Sequence, residues 1–266
     1  METISSLHNP RVKRWASLLE RKHREREGAY LVEGIHLVKE ALFFGADIEA
    51  LVYSEIRGIP EELAVCISRR EESARPLDCI AVSEEILTRC TDTVTPQGVF
   101  AVVRKSSLTA EDILASYRSL VLVVDGVQDP GNLGTMIRSA DAAGASAVLL
   151  GKGTVDLYNA KSLRATMGAI FHLPIVYGEL DNILPRAAAG GVQVIASALA
   201  NAISCYDADY RGDTWLVMGN EGKGVSESVL ACAGTTVKIP MPGHAESLNV
   251  AMASTVLLFE AQRQRM

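Results

Sequence analysis

Three short stretches of the chain hold the residues best suited to binding and group transfer. The first, Asp125-Gly126-Val127-Gln128-Asp129-Pro130-Gly131-Asn132, follows an apolar run at 120–124 and leads into a segment of helical pattern that carries Arg138 and Asp141. The second is Met218-Gly219-Asn220-Glu221-Gly222-Lys223-Gly224-Val225-Ser226, after an apolar run that starts at Trp215. The third passes from Ile239-Pro240-Met241 through Pro242 and Gly243 to Ser247-Leu248-Asn249-Val250 and an apolar run ending at Phe259. Glycine lets a backbone come close to a ligand, and the unpaired N–H groups at a helix start bind polar or anionic groups. Ser247 and Asn249 therefore suit either ligand contact or plain capping. A guanidinium such as that of Arg138 can orient a phosphate or stabilise a developing oxyanion. At the same spacing it could simply pair with Asp141 on a helix surface. Glu221 reads equally as a turn residue, and His244 as a loop residue without a role.

Several kinds of chemistry are excluded by the same residues. No Gly-x-Gly-x-x-Gly follows an apolar run, and the position five before Gly222-Lys223 is Val217, so neither a dinucleotide fingerprint nor a phosphate-binding P-loop is present. Cys66, Cys79, Cys90, Cys205 and Cys232 are scattered, as are the five histidines, so no metal is expected. With no run of about 18 apolar residues and no signal-peptide pattern at the start, the expectation is a cytoplasmic protein without a membrane partner. The net charge of −6 argues against indiscriminate nucleic-acid binding. A local basic patch is nevertheless present at Arg11, Lys13 and Arg14, with no acid between them, and these are the candidate phosphate contacts.

The elements that must position these residues follow from periodicity. The chain is 266 residues long and 48% hydrophobic, enough for two domains with sizeable cores. Residues 9–28 predict one helix, with Asn9 as N-cap, Pro10 in the first turn and Gly28 as its stop. An apolar run at 30–32, a helix over 35–44, a strand over 49–54, a helix after Ser83 and a strand over 99–103 make a compact α/β unit. The polar stretch 104–110 marks the boundary, with a helix over 111–117 as bridge. Beyond it, continuous apolar runs at 120–124, 147–150, 175–177, 192–196, 215–218 and 237–241 predict strands buried on both faces. Helices over 133–143 and 180–189 separate some of them, and a final helix is expected from Ser247. The result is a parallel α/β domain, whose ligands bind at the carboxyl ends of the strands. The three stretches fall there.

In order and spacing, the three stretches resemble the motifs of the SpoU (TrmH-type) RNA ribose 2′-O-methyltransferases of the SPOUT superfamily. The matching residues are Asn132 and Arg138, then Gly219-Asn220-Glu221-Gly222-Lys223-Gly224, then Ile239-Pro240-Met241 with Ser247-Leu248-Asn249-Val250. Asn9-Pro10 with Lys13, Glu33-Gly34 and Pro96-Gln97-Gly98 resemble that family's N-terminal substrate-binding domain. The resemblance implies an α/β fold with a C-terminal trefoil-knotted, parallel-sheet SPOUT domain over 109–266 that binds S-adenosylmethionine (SAM), and a smaller α/β RNA-binding domain over 1–108. It implies methyl transfer from SAM to a ribose 2′-hydroxyl, with ribosomal RNA the expected substrate. A transfer RNA substrate, an inactive knotted RNA-binding protein and a metabolic α/β enzyme are the alternatives. Met218, Gly219, Ile239, Met241 and Leu248 carry over as cofactor residues. Arg138 carries over as the central catalytic residue, with Asn132, Glu221, Ser247 and Asn249 around it. The family proposal makes the arginine a base; a guanidinium, which gives up its proton very reluctantly, is better suited to orienting the ribose and stabilising the alkoxide. A homodimer with a site shared between chains is also implied. The apolar residues all round the final helix point the same way, because the last helix of a monomer usually keeps a polar stripe.

Overall fold

The computed structural model describes residues 2–71, 77–116 and 119–266. The chain forms two compact units: one comprises Met1–Ser106 with Tyr158–Phe171, the other Ser107–Leu157 with His172–Met266.

The first unit contains β1 (Glu2–Ile4), α1 (Pro10–Ser17), α2 (Arg21–Glu27), β2 (Ala29–Glu33), α3 (Ile35–Phe43), β3 (Ile48–Ser54), α4 (Glu61–Glu71), β4 (Cys79–Val82), α5 (Glu84–Cys90) and β5 (Val99–Arg104). Its five strands lie in the order β1-β4-β3-β5-β2. β4 runs parallel to β1 and β3, whereas β5 is antiparallel to β3 and β2. The helix expected over 9–28 is two helices. Asn9 does cap α1, its Oδ1 accepting from the Arg11 N–H at 2.8 Å, and Gly28 ends α2 in the left-handed region. Between them, the buried Arg24 guanidinium donates to the carbonyls of Leu18 and Leu19 at 2.8 and 2.6 Å, supplying the partners that a broken helix end needs.

The second unit contains α6 (Ala110–Ser116), β6 (Leu120–Val124), α7 (Pro130–Ala142), β7 (Ala147–Leu150), β8 (Ile175–Tyr177), α9 (Leu180–Ala189), β9 (Gln193–Ser197), β10 (Ile203–Ser204), β11 (Thr214–Met218), α10 (Glu227–Leu230), β12 (Thr235–Lys238) and α11 (Val250–Arg265). The intervening α8 (Ala160–Thr166) lies in the segment that joins the first unit. The expected end of α6 at Tyr117 lies outside the described residues. All seven strands are parallel, in the order β10-β12-β9-β11-β6-β7-β8. The central strands β6 and β11 are buried along their whole length, as their unbroken apolar runs require. Side chains alternate across the sheet. Val121, Val123, Trp215 and Val217 form one core with residues of α6, α9 and α10. The opposite face is covered by α7 and α11, which pack on each other and bury Met136, Ile137, Leu257 and Leu258.

Three boundaries differ from the sequence expectation by more than two residues. β12 ends at Lys238, so Ile239-Pro240-Met241 is loop rather than strand. α7 starts at Pro130, because Asp129 caps it, accepting from the Asn132 N–H at 2.8 Å. α11 starts at Val250, not Ser247, since Asn249 Oδ1 accepts from the N–H groups of Ala251 and Met252 at 2.9 and 3.3 Å. A fourth difference concerns residues 158–171. Leu163 lies in the core of the first unit, with Tyr158, Ile170 and Phe171 packed against it. A stretch of the expected second domain thus shares the hydrophobic core of the first unit.

Candidate active site

The loops after β6, β11 and β12 meet at the carboxyl ends of the sheet, and hydrogen bonds join them. Asp125 Oδ2 accepts from the Ser226 N–H at 2.7 Å, and Asn220 Nδ2 donates to the Gly126 carbonyl at 2.8 Å. The Asn220 carboxamide also shapes its own loop, its Oδ1 accepting from Gly222 and Lys223 N–H groups at 3.0 Å each. Asn220 and Gly224 close that loop with two backbone hydrogen bonds of 2.9 Å. Gly219 stands where only glycine fits: a Cβ there would collide with the backbone of Gly224 and Val225.

A polar chain then links all three loops. Asn249 Nδ2 donates to Asn132 Oδ1 at 3.0 Å, and Asn132 Nδ2 donates to Glu221 Oε1 at 3.0 Å. Glu221 also accepts from the backbone N–H groups of Gln128 and Asp129 at 3.1 and 3.0 Å. Partial burial opposes ionisation of Glu221. The donors at Asp129, Asn132, its own N–H and Gln128 outweigh that, holding its carboxyl below the usual carboxylate range. An ionised carboxylate whose lone pairs are already engaged organises loops; it does not accept a further proton.

Glu221→Ala is accordingly expected to free the first loop, weakening ligand affinity about tenfold and stability by roughly 1–2 kcal/mol after discounting for exposure. The wild-type contribution is present above the ordinary carboxylate range and is lost as pH falls through the lowered folded pKa. Urea denaturation of both proteins at neutral and acid pH checks this, since their difference should shrink on acidification.

Beside this chain lies a cavity of about 550 Å³, within the size of small-molecule sites. Met218, Gly219, Ile239, Met241, Ser247 and Leu248 line it together, as does Glu221, so every expected cofactor residue faces one space. Apolar walls with backbone groups at the loop turns suit a nucleoside with a short polar tail, as in SAM. Leu248 is 43% exposed and belongs to this wall, not to the core. The segment 198–201 after β9 and the side chains of Lys223 and Lys238 complete the lining. Residues 198–201 were not expected there, although the rule that ligands sit at strand carboxyl ends applies to them as well. His244 is an exposed loop residue outside the lining.

Arg138 sits on α7, six residues beyond Asn132, and is not among the lining residues. Its side chain is exposed and makes no ion pair among the described residues. Asp141, its alternative partner, is held by His172 Nδ1 at 2.8 Å. The candidate phosphate contacts are differently placed. Arg11 pairs with Glu2 and Asp78 at 2.8 and 2.6 Å, and Arg14 with Glu27 and Glu49 at 2.7 and 2.8 Å. Lys13 is exposed and without an ion pair among the described residues.

A cavity walled by loops at the carboxyl ends of a parallel sheet is where α/β proteins bind nucleotide-like ligands. Comparison with known proteins narrows the class: residues 119–259 match the model of the SpoU rRNA Methylase family, and residues 9–101 that of the MRM3-like substrate binding domain. The chain belongs to the SpoU rRNA Methylase family. It is 39% identical to the 23S rRNA (guanosine(2553)-2'-O)-methyltransferase RlmP of Bacillus subtilis (strain 168), over 97% of this chain and 98% of that protein. An AdoMet-bound rRNA methyltransferase from Sinorhizobium meliloti is 36% identical, with a TM-score of 0.85 over 98% of this chain and 97% of that one. The SpoU methyltransferase AviRb from Streptomyces viridochromogenes, in complex with AdoMet, is 32% identical, with a TM-score of 0.84 over 97% and 98% of the two chains. The fold class is therefore that of the SPOUT methyltransferases, with a smaller α/β domain at the N-terminus.

Proposed function

We propose that this protein transfers a methyl group from SAM to a ribose 2′-hydroxyl of ribosomal RNA. The observation that carries the reading is the hydrogen-bonded line Asn249–Asn132–Glu221, which fixes all three family motifs around one apolar-walled cavity. When bound, SAM supplies an electrophilic methyl on a sulfonium. Met218, Gly219, Ile239, Met241 and Leu248 would hold it, with Ser247 on the same wall and Asn249 bracing the first loop through Asn132. Arg138 orients the ribose and an adjacent phosphate through its planar fork and stabilises the oxygen that develops charge. The relatives' names support ribosomal over transfer RNA, and a cytoplasmic location belongs to the same reading. Incubating the protein with labelled SAM and a mixture of ribosomal and transfer RNA, then mapping ribose methylation, tests this. Label confined to transfer RNA would favour the alternative substrate, and SAM binding without transfer would favour an inactive binder.

The trefoil knot and the division into an RNA-binding domain near 1–108 and a SAM-binding domain near 109–266 belong to the same reading. So does the homodimer, and α11 supports it. The helix buries Ala251, Ser254, Leu257, Leu258 and Ala261, yet leaves Met252 52% and Phe259 44% exposed, with Val256 half-buried between them. These three form an apolar stripe at i, i+4 and i+7. Covering the exposed half of each large side chain is worth about 1 kcal/mol, which a two-fold partner would supply. Sedimentation equilibrium at micromolar concentration should give twice 28.6 kDa. A 28.6 kDa species with full activity would reject the dimer and its shared site.

A further inference from the structure

The Arg11 and Arg14 side chains each already hold two carboxylates, so exchanging these for phosphates gains them little. A different face of the first unit carries an uncommitted cation beside aromatic surface. α3 turns Leu37, Val38, Ala41 and Leu42 into the core, leaving His36, Lys39, Glu40 and Phe43 outside. Two of these four are engaged within the unit: the His36 ring meets the Met167 carbonyl at 3.0 Å, and Glu40 lies against Gly168. Lys39 and Phe43 remain, one turn apart on the same side of the helix. Lys39 is exposed and makes no ion pair among the described residues. Phe43 is 64% exposed and meets the next ring, Phe44, edge to face at 5.2 Å and 71°.

Phe43 is not a scattered apolar residue: with Phe44, 47% exposed, it makes a two-ring apolar patch beside a cation, and contiguous patches of this kind mark interaction sites. We propose that Phe43 is a stacking platform for an unpaired nucleobase of the substrate RNA, with Lys39 on a flanking phosphate. This rests on the RNA reading above and deepens it. Single-stranded RNA is recognised by splayed bases stacked on aromatic rings with cations along the backbone. The patch consists of Lys39, Phe43 and the edge of Phe44, far fewer than the roughly 20–30 residues a side of a stable protein contact. It also lies within the residues that match a substrate binding domain.

The test uses the full chain and a single-stranded RNA of about 12 nucleotides, within the range of known single-strand sites, beside the same sequence as a duplex. Phe43→Ala should weaken single-strand binding roughly 5- to 150-fold, with SAM affinity unchanged. Phe43→Leu, which keeps an apolar side chain but has no π face, should fail similarly, and Phe43→Tyr should bind like wild type. Lys39→Gln should flatten the log–log salt dependence by about 0.7. Wild-type affinity in Phe43→Ala or Phe43→Leu overturns the proposal, as does wild-type protein that binds no single strand. A changed sedimentation of Phe43→Ala with RNA affinity intact would make the face a contact between copies instead. Failure of the wild type to methylate ribosomal RNA would reject the functional reading. A wild type that methylates, alongside a Phe43→Ala protein that binds as well, rejects only this surface.

Discussion

Arg138→Ala is expected to lower methyl transfer by about 10²–10³-fold, the usual effect of removing one group that stabilises a developing oxyanion, with SAM affinity little changed. The argument begins with position. On α7 the buried residues are Leu133, Gly134, Met136, Ile137, Ser139 and Ala140, so Arg138 points away from the core. The loss should therefore be one of chemistry and not of folding, within the roughly 0.5 kcal/mol of an ordinary surface change. The guanidinium is also uncommitted, since the carboxylate one turn on is bound to His172. Arg138→Lys should recover little, because an ammonium is a point charge and cannot grip ribose and phosphate as a planar fork does. Single-turnover transfer to ribosomal RNA, with calorimetry of SAM binding on the same preparations, makes the measurement. An alanine variant within a few-fold of wild type would leave Arg138 as a surface residue.

The second unit was largely legible because its signals are local. Continuous apolar runs gave β6, β7 and β8 to the residue, and prolines and glycines located the loops. What was not legible depends on partners distant in sequence. The carboxylates that hold Arg11 and Arg14 include Glu2, Asp78 and Glu49, and nothing local links them to α1. Tyr158, Leu163, Ile170 and Phe171 have the same apolar pattern whichever core they enter. The start of α11 was blurred for a different reason, as Ser247 and Asn249 are equally good caps on paper. Asn249 takes the position: its carboxamide caps with Oδ1 and donates to Asn132 from Nδ2, two separate atoms where a serine would have a single oxygen for both contacts. In the site, the five residues expected to hold the cofactor converge on one cavity. Residues 198–201 were missed because the loop after β9 contains no glycine and no motif.

Gly219→Val is expected to reduce SAM affinity by about 10–100-fold, as a backbone shift worth 1–3 kcal/mol falls on the site. If Gly219 served only to let the backbone approach the ligand, a side chain there would obstruct that ligand directly. The structure gives a different cause: a Cβ on Gly219 points into the backbone of Gly224 and Val225, which no rotamer change can relieve. The Asn220–Gly224 bridge must open, and with it the turn whose N–H groups Asn220 holds. Even Gly219→Ala should therefore be impaired, whereas a ligand clash alone would spare the smaller side chain. Calorimetry of both variants separates the two causes, and unchanged SAM affinity in Gly219→Val would remove Gly219 from the site. The same variant also probes the proposed shared site. Mixed and re-equilibrated in equal amounts with Arg138→Ala, it would form hetero-pairs in which one of the two sites combines an intact arginine with an intact cavity. Activity should then return to about a quarter of wild type if Arg138 serves its partner's cavity. If each chain uses its own arginine, no intact site exists in any pairing and, at SAM concentrations below the variant's Kd, the mixture stays at the average of the two separate variants.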